Sequence, residues 1–321
     1  MIMVITGAAG FVGSHLVDRL LELGHRVIGI DNFSRGSRSN VERASGHSKF
    51  SLIELDLTDE RAIATILDPL FAAESEPVDT VWHLAANSDI PAGVADARVD
   101  LKDTFMTTFQ TLELMKRHKM QSIVFASTSA VYGTLPGELA EVMGPLLPIS
   151  NYGAMKLASE GLISAAAEAY LRRAVICRFP NVVGARGTHG VIYDLLGKLN
   201  RDPLELEVLG DGTQKKPYLH VLELVDAMLF VWRNAPDKLA LYNVGPEDDG
   251  LQVADIAATV LKVAGTGGRL RYTGGDRGWV GDVPRFHYST GKLAALGWRP
   301  RSSSREAVER AAQELAAERG F

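Results

Sequence analysis

The stretch Ile2-Met3-Val4-Ile5-Thr6-Gly7-Ala8-Ala9-Gly10-Phe11-Val12-Gly13 decides how the rest of the chain is read. A short apolar run ends in a glycine-rich turn, and the turn opens a helical pattern that continues to Leu23. Glycines there let the chain tighten and let backbone N–H groups approach a diphosphate, while the helix N-terminus adds unpaired donors and a favourable dipole. Glycine also serves plain turns; the position between strand and helix is what points to a dinucleotide. The next apolar run, Arg26–Asp31, ends in a carboxylate. At that place Asp31 can accept from the adenosine ribose hydroxyls and repel a 2′-phosphate, which favours NAD over NADP. Arg35 nearby argues the other way, and a plain strand-end cap is the alternative role for Asp31.

Further apolar runs at Phe50–Glu54, Thr80–Leu84, Ser122–Ser127 and Arg173–Arg178 are separated by helix-length segments. The runs are continuous rather than alternating, which suits parallel strands covered on both faces. The strand–helix order makes the fold class α/β, a doubly wound parallel sheet. Beyond residue 180 the regularity breaks at Gly- and Pro-rich stretches, 184–190, 210–217 and 274–284. The expected division is 1–181 as a dinucleotide-binding domain, with 220–246 returning to it. Residues 182–219 and 247–321 then form a smaller C-terminal substrate-binding region.

The chain of 321 residues, 46% hydrophobic and 23% charged, has an ordinary globular composition and is long enough for a well-buried core. A net charge of −5 without a long run of one sign gives no footprint for nucleic acid or an anionic membrane. The single cysteine, Cys177, lies in an apolar run and excludes an internal disulfide or a multi-cysteine zinc site. The eight histidines lack ligand spacing, so no metal is expected. Met1–Ile5 is too short for a signal peptide or membrane span, and a cytoplasmic location is the expectation.

Chemistry concentrates in Ser150-Asn151-Tyr152-Gly153-Ala154-Met155-Lys156, which opens a long helical pattern. Tyrosine and lysine at i and i+4 share a helix face. An ammonium beside a phenol lowers the phenol's pKa from about 10 and makes it a base for an alcohol. Alone, such a pair is usually a surface contact. Upstream, the apolar run Ile123–Ala126 leads into Ser127-Thr128-Ser129-Ala130-Val131-Tyr132-Gly133. In a doubly wound fold those hydroxyls stand at a strand end that lines the ligand crevice.

Gly7/Gly10/Gly13, Asp31, Asp56-Leu57, His83-Leu84-Ala85-Ala86, Ser127–Gly133, Tyr152/Lys156 and Arg178-Phe179-Pro180-Asn181 occur in that order. Together they resemble the extended short-chain dehydrogenase/reductase family, specifically its NAD-dependent nucleotide-sugar epimerases and dehydratases, essentially from end to end. The resemblance implies a Rossmann fold that holds NAD tightly and uses it catalytically. It implies that Tyr152 removes a sugar hydroxyl proton, that Lys156 lowers its pKa and binds the nicotinamide ribose, and that Thr128 bridges substrate and Tyr152. The implied cofactor residues are Gly7, Ala9, Gly10, Phe11, Val12, Gly13, Asp31, Asn32, Asp56, Leu57, Leu84, Ala85, Ala86, Tyr152, Lys156 and Pro180.

The 4,6-dehydratases of that family carry Thr-Asp-Glu before Val-Tyr-Gly, and the sugar-acid decarboxylases keep a Glu at the last place. Here the triplet is Thr128-Ser129-Ala130, with no carboxylate. Eliminating water needs a positioned acid and base; rotating a keto sugar and returning hydride to its other face needs neither. The motif therefore looks like that of the 4-epimerases. Trp82–Asn87, Gly184–Tyr193 and Thr273–Pro284 are similar to a branch described as UDP-glucose 4-epimerases. The implied substrate contacts are Ser88, Thr128, Ser129, Asn181, His189, Val191, Lys216, Tyr218, Arg277, Asp282 and Phe286.

The chain departs from the family pattern at several places. Lys216-Pro217 replaces Arg-Asp, Trp279-Val280-Gly281-Asp282 replaces Arg-Pro-Gly-Asp, and Thr104 stands where an asparagine near NAD is typical. These changes leave the chemistry intact and the nucleotide open. The bulk of Phe286 suggests a plain hexose over an acetamido sugar. The expectation is NAD-dependent 4-epimerisation of a nucleotide sugar, UDP-glucose/UDP-galactose favoured. Its rivals are epimerisation of UDP-glucuronate, UDP-GlcNAc or a GDP- or CDP-sugar, dehydration or reduction, and a non-catalytic dinucleotide sensor. Apolar stripes near 100–118 and 152–171 match the family's four-helix interface and imply a homodimer, although packing on the sheet has the same periodicity.

Overall fold

Five consecutive buried residues, Ile2–Thr6, form β1. With β2 (Arg26–Asp31), β3 (Phe50–Glu54), β4 (Val78–His83), β5 (Ser122–Thr128), β6 (Arg173–Phe179) and β7 (Leu239–Asn243) it builds one sheet, ordered β7-β6-β5-β4-β1-β2-β3. The β1–β2, β1–β4, β2–β3 and β4–β5 pairs are parallel. The computed structural model describes residues 1–275 and 286–321. The doubly wound α/β class expected from the apolar runs is what the chain adopts, and β1, β2 and β3 begin and end where those runs do. β4 starts two residues before the apolar run, at Val78, because pairing with β1 resumes there beyond a register shift that skips the exposed Asp79.

The chain progresses from β1 to β3 in one direction along the sheet and from β4 to β7 in the other. Where the order reverses, between β1 and β4, loops from their carboxyl ends diverge and leave a crevice. The helices that serve this edge are α1 (Phe11–Glu22), α2 (Ile90–Ala95), α3 (Thr107–Arg117) and α4 (Asn151–Ala169).

Two compact units result. The first comprises Met1–Val131, Pro148–Arg178 and Met228–Tyr242; Ile28, Val81, Phe125, Ile163 and Ile176 lie in its apolar core. The second comprises Tyr132–Leu147, Phe179–Ala227 and Asn243–Phe321. There α5 (Val191–Arg201), α6 (Val253–Ala264) and α7 (Ser304–Glu318) enclose a core containing Leu196, Leu206, Ile256 and Ala311. A reciprocal capping box between Ser303 and Glu306 starts α7. Short parallel pairs complete the unit: Asn181–Val183 with Tyr218–His220, and His287–Tyr288 with Glu138–Leu139. Among the described residues, no helix is long and apolar enough to cross a membrane. The expected contacts Arg277 and Asp282, and Trp279, lie outside the described residues.

Candidate active site

The glycine turn is closed to side chains. Gly7 has φ +71°, and a Cβ on it would lie 2.9 Å from the Ala85 nitrogen. A Cβ on Gly13 would meet the Gly7 carbonyl oxygen at 2.0 Å, so α1 sits against the turn only because that side chain is missing. Gly10 precedes α1 without a side-chain cap, and the first turn at Phe11 and Val12 carries no acidic residue. A cradle that no Cβ can enter, with an uncapped helix end as its wall, fits the diphosphate of a dinucleotide.

Asp31 stands beside it at the end of β2, 7% exposed. Its oxygens accept from the Ala9 and Phe33 N–H groups, each at 2.8 Å. Burial pushes its carboxyl above the ordinary value, and those backbone donors oppose the rise. The carboxylate thus ties the β2 end to the turn and uses the Ala9 N–H that a phosphate could have taken. Each oxygen still has a lone pair for a ribose hydroxyl. Asn32 is exposed and accepts from the Ser34 N–H at 3.0 Å. At Asp56 burial acts to raise the carboxyl, but bonds from Thr58 and from Lys102, the latter at 3.1 Å, hold it below its usual range. Leu57 is in the core, whereas Leu84, Ala85 and Ala86 are half-buried at the β4 end. The Thr6 hydroxyl accepts from the Leu84 and Ala85 N–H groups, both at 3.2 Å.

Tyr152 lies in the first turn of α4, where the Ser150 hydroxyl caps by accepting from the Gly153 N–H at 3.1 Å. A Cβ on Gly153 would be 2.6 Å from the Ala130 carbonyl oxygen, so this glycine lets α4 press against the segment after β5. That contact sets the Thr128 hydroxyl near the Tyr152 phenol, where it favours the phenolate. Ser129 follows, half-buried, at the start of a single 3₁₀ turn. Lys156 is 2% exposed. Its Nζ donates to the Ala126 carbonyl at 2.6 Å and lies 4.6 Å from the Phe125 ring centroid and 6.0 Å from that of Tyr152.

The expected lowering of the phenol by Lys156 is not what this arrangement produces. Burial pushes Tyr152 up to about 12, opposed by the Thr128 hydroxyl and reinforced by the charge of Asp100. Burial brings Lys156 down to about 7, opposed by Glu160 and Asp100. Desolvation outweighs pair attraction here, because the ammonium turns to a backbone carbonyl rather than to the phenol.

Two carboxylates that sequence reasoning passed over complete the surroundings. Glu160 extends the Tyr152/Lys156 spacing by another four residues, a signal that was readable. It accepts from Ser127 Oγ at 2.5 Å and from Arg178 Nε and Nη2 at 3.0 and 2.7 Å, joining α4 to the ends of β5 and β6. Asp100 is fully buried; one oxygen accepts from Asn87 Nδ2 at 2.9 Å and the other has no partner. It fills the place of a side chain on Gly93, and only the fold reveals that. Ser88 is half-buried next to Asn87, whose N–H donates to the Thr104 hydroxyl at 3.2 Å.

In the second unit, Asn181 and Tyr218 are register partners, and Asn181 Nδ2 donates to the Pro217 carbonyl at 3.3 Å. Lys216 is therefore close in the chain to this pair, and Pro180, buried, precedes it. The Tyr218 ring belongs to the apolar core. His189 is exposed, 3.3 Å from the Thr188 hydroxyl, and Val191 packs against the core at the start of α5. Phe286 is half-buried and edge-on to Tyr288, with centroids 6.0 Å apart. Tyr288 packs in turn on Tyr132, whose hydroxyl donates to Asn243 Oδ1 at 2.8 Å. Asn243, another residue missed in the sequence, donates to the Leu139 and Ser289 carbonyls and so fixes the strand pair behind Phe286.

A family model described as the NAD dependent epimerase/dehydratase family matches residues 3–245. A UDP-glucose 4-epimerase of Corynebacterium glutamicum is 31% identical over 285 residues, 83% of this chain and 81% of the relative. A crystal structure of a UDP-galactose 4-epimerase is 37% identical with a TM-score of 0.84, covering 99% of both chains. The Thermus thermophilus UDP-glucose 4-epimerase, in complex with NAD, is 28% identical with a TM-score of 0.84, covering 98% of this chain and 99% of that one.

Proposed function

The chain belongs to the NAD dependent epimerase/dehydratase family, and we propose that it interconverts the C4 epimers of a nucleotide sugar, UDP-glucose and UDP-galactose being the favoured pair. The observation that carries this reading is the segment Thr128-Ser129-Ala130, which brings a hydroxyl to Tyr152 and no carboxylate. A dehydratase needs an acid and a base on neighbouring carbons; an epimerase needs one alcohol base and room for a keto sugar to turn. The names of the relatives point the same way.

Bound at the glycine cradle, NAD supplies reversible hydride acceptance from the sugar carbon. Tyr152 takes the C4 hydroxyl proton and gives it back after the sugar turns. Thr128 steadies the phenolate by donating to it. A phenol held near 12 gives up a proton reluctantly at neutral pH, so positive charge must be kept beside it. We assign that charge to Lys156, 6.0 Å from the Tyr152 ring centroid, and Glu160 and Asp100 favour its charged form. Asn181 and Lys216 are assigned to the substrate diphosphate. Phe286, held by Tyr288, limits space at C2, which favours a plain hexose over an acetamido sugar. The working form is proposed to be a homodimer through α3 and α4.

The test is incubation with UDP-glucose, UDP-glucuronate, UDP-GlcNAc and GDP-mannose, with products resolved by NMR. UDP-galactose from UDP-glucose, without net NADH at steady state, is the expected result. A 4-keto-6-deoxy product would overturn it. Tyr152→Phe should lower turnover by roughly a thousandfold while NAD stays bound; turnover like that of the wild type would remove Tyr152 from the chemistry.

A further inference from the structure

Two side chains meet across the end of β1. Arg35 belongs to the loop that leaves β2 and Asp89 to the loop that leaves β4, and Arg35 Nη1 lies 3.3 Å from Asp89 Oδ2. In the sheet, β1 runs parallel to both β2 and β4 and lies between them. All three carboxyl ends are therefore on one edge. A link from the β2 loop to the β4 loop passes over the turn into which β1 runs, Gly7–Gly13.

Both ends of the link are anchored. Asp89 Oδ1 accepts from the Ala92 N–H at 3.0 Å, capping α2, which leaves Oδ2 to Arg35. On the other side the loop is laid along the turn itself. A Cβ on Gly36 would lie 2.8 Å from the Ala9 carbonyl carbon, and the Ser37 N–H and Asn40 Nδ2 both donate to the Ala9 carbonyl, at 3.1 and 2.9 Å. Arg35 Nε is enclosed and has no hydrogen-bond partner, a donor left over from the Asp89 pair. The two side chains are 35% and 36% exposed, too open for the pair to matter much to folding.

We infer that Arg35 and Asp89 strap the dinucleotide groove: Arg35 faces the cofactor's diphosphate, and the pair must part before the cofactor leaves. A planar guanidinium can hold a carboxylate with one nitrogen and present others to phosphate oxygens. The buried Asp31 and the carboxylate of Asp89 add negative charge around a diphosphate that the turn meets only with dipoles, so a cation is needed there. This assignment rests on NAD binding and on nothing about the sugar.

The test follows exchange of bound NAD for fluorescent etheno-NAD in the holoenzyme, with no sugar present, so its outcome is independent of which sugar is epimerised. Arg35→Ala should exchange roughly ten- to a hundredfold faster than wild type. Asp89→Asn, which retains a capping side chain, should also exchange faster. Added salt should speed the wild type more than either variant. Wild-type exchange in Arg35→Ala overturns the inference. So does a fast Arg35→Ala beside an unchanged Asp89→Asn, since the pair would then not be the latch. Unchanged NAD exchange with altered discrimination against NADP would assign Arg35 to the ribose instead, and equally overturns it.

Discussion

At Lys156 burial and charge pull in opposite directions, and the balance can be read as stability. Its folded value of about 7 compares with an ordinary 10.5. Below pH 7 the lysine is charged in both states and the folded chain bears the full cost of burying that charge. Between about 7 and 10.5 the unfolded chain holds the proton and the folded chain does not, so stability rises with pH across that window. In cofactor-free protein, the melting temperature of the wild type relative to Lys156→Met should therefore climb from pH 7 to 10. A difference that stays flat would mean the ammonium is not desolvated. The residue types Tyr152, Lys156 and Thr128 were legible because four-residue spacing and a strand-end hydroxyl are local patterns. The direction of the Tyr152 shift was not legible, because its burial and the charge of Asp100 both depend on how distant segments pack together.

The element proposed to carry the chemistry, α4, depends on its first turn. Ser150 supplies one cap, through the Gly153 N–H, and Gly153 supplies the close approach to Ala130. Ser150→Ala should cost about 1 kcal/mol of stability by denaturant midpoint. It should also lower turnover more than NAD affinity, because Tyr152 is two residues from the cap whereas the diphosphate cradle is on α1. Equal losses in both would tie the two elements more closely than their separate caps suggest. Strands were legible for a related reason. A run such as Ile2–Thr6 is buried throughout because both faces of its strand are covered. The π-type turn at Leu101–Met106 was not legible, since nothing local asks for it. Thr104 within it receives the Asn87 N–H, a contact that depends on how the β4 loop is placed.

For the molecule as a whole, the sequence distinguished a regular half from an irregular one and could go little further. Asn181–Val183 and Tyr218–His220 are three-residue strands, too short for periodicity to show, and their pairing joins segments far apart in the chain. Tyr218 reads as a contact residue by motif, and it is also a member of the second unit's apolar core. The apolar stripes of α3 and α4 were ambiguous in the same way, since a stripe says that a face is covered but not by what. In the structure Leu101 and Phe109 remain 47% and 38% exposed after the first unit has formed its core. Apolar surface left over on α3 and on the turn before it, both packed against α4, is where a second copy would both bury area and brace α4. Sedimentation velocity should show a particle of twice 34.7 kDa for the wild type. Phe109→Asp should shift it to the monomer, with turnover falling on dilution sooner than in the wild type. A wild type that sediments as a monomer at assay concentration would end the dimer proposal and leave α4 braced by its contacts within the first unit, the Glu160–Arg178 pair among them.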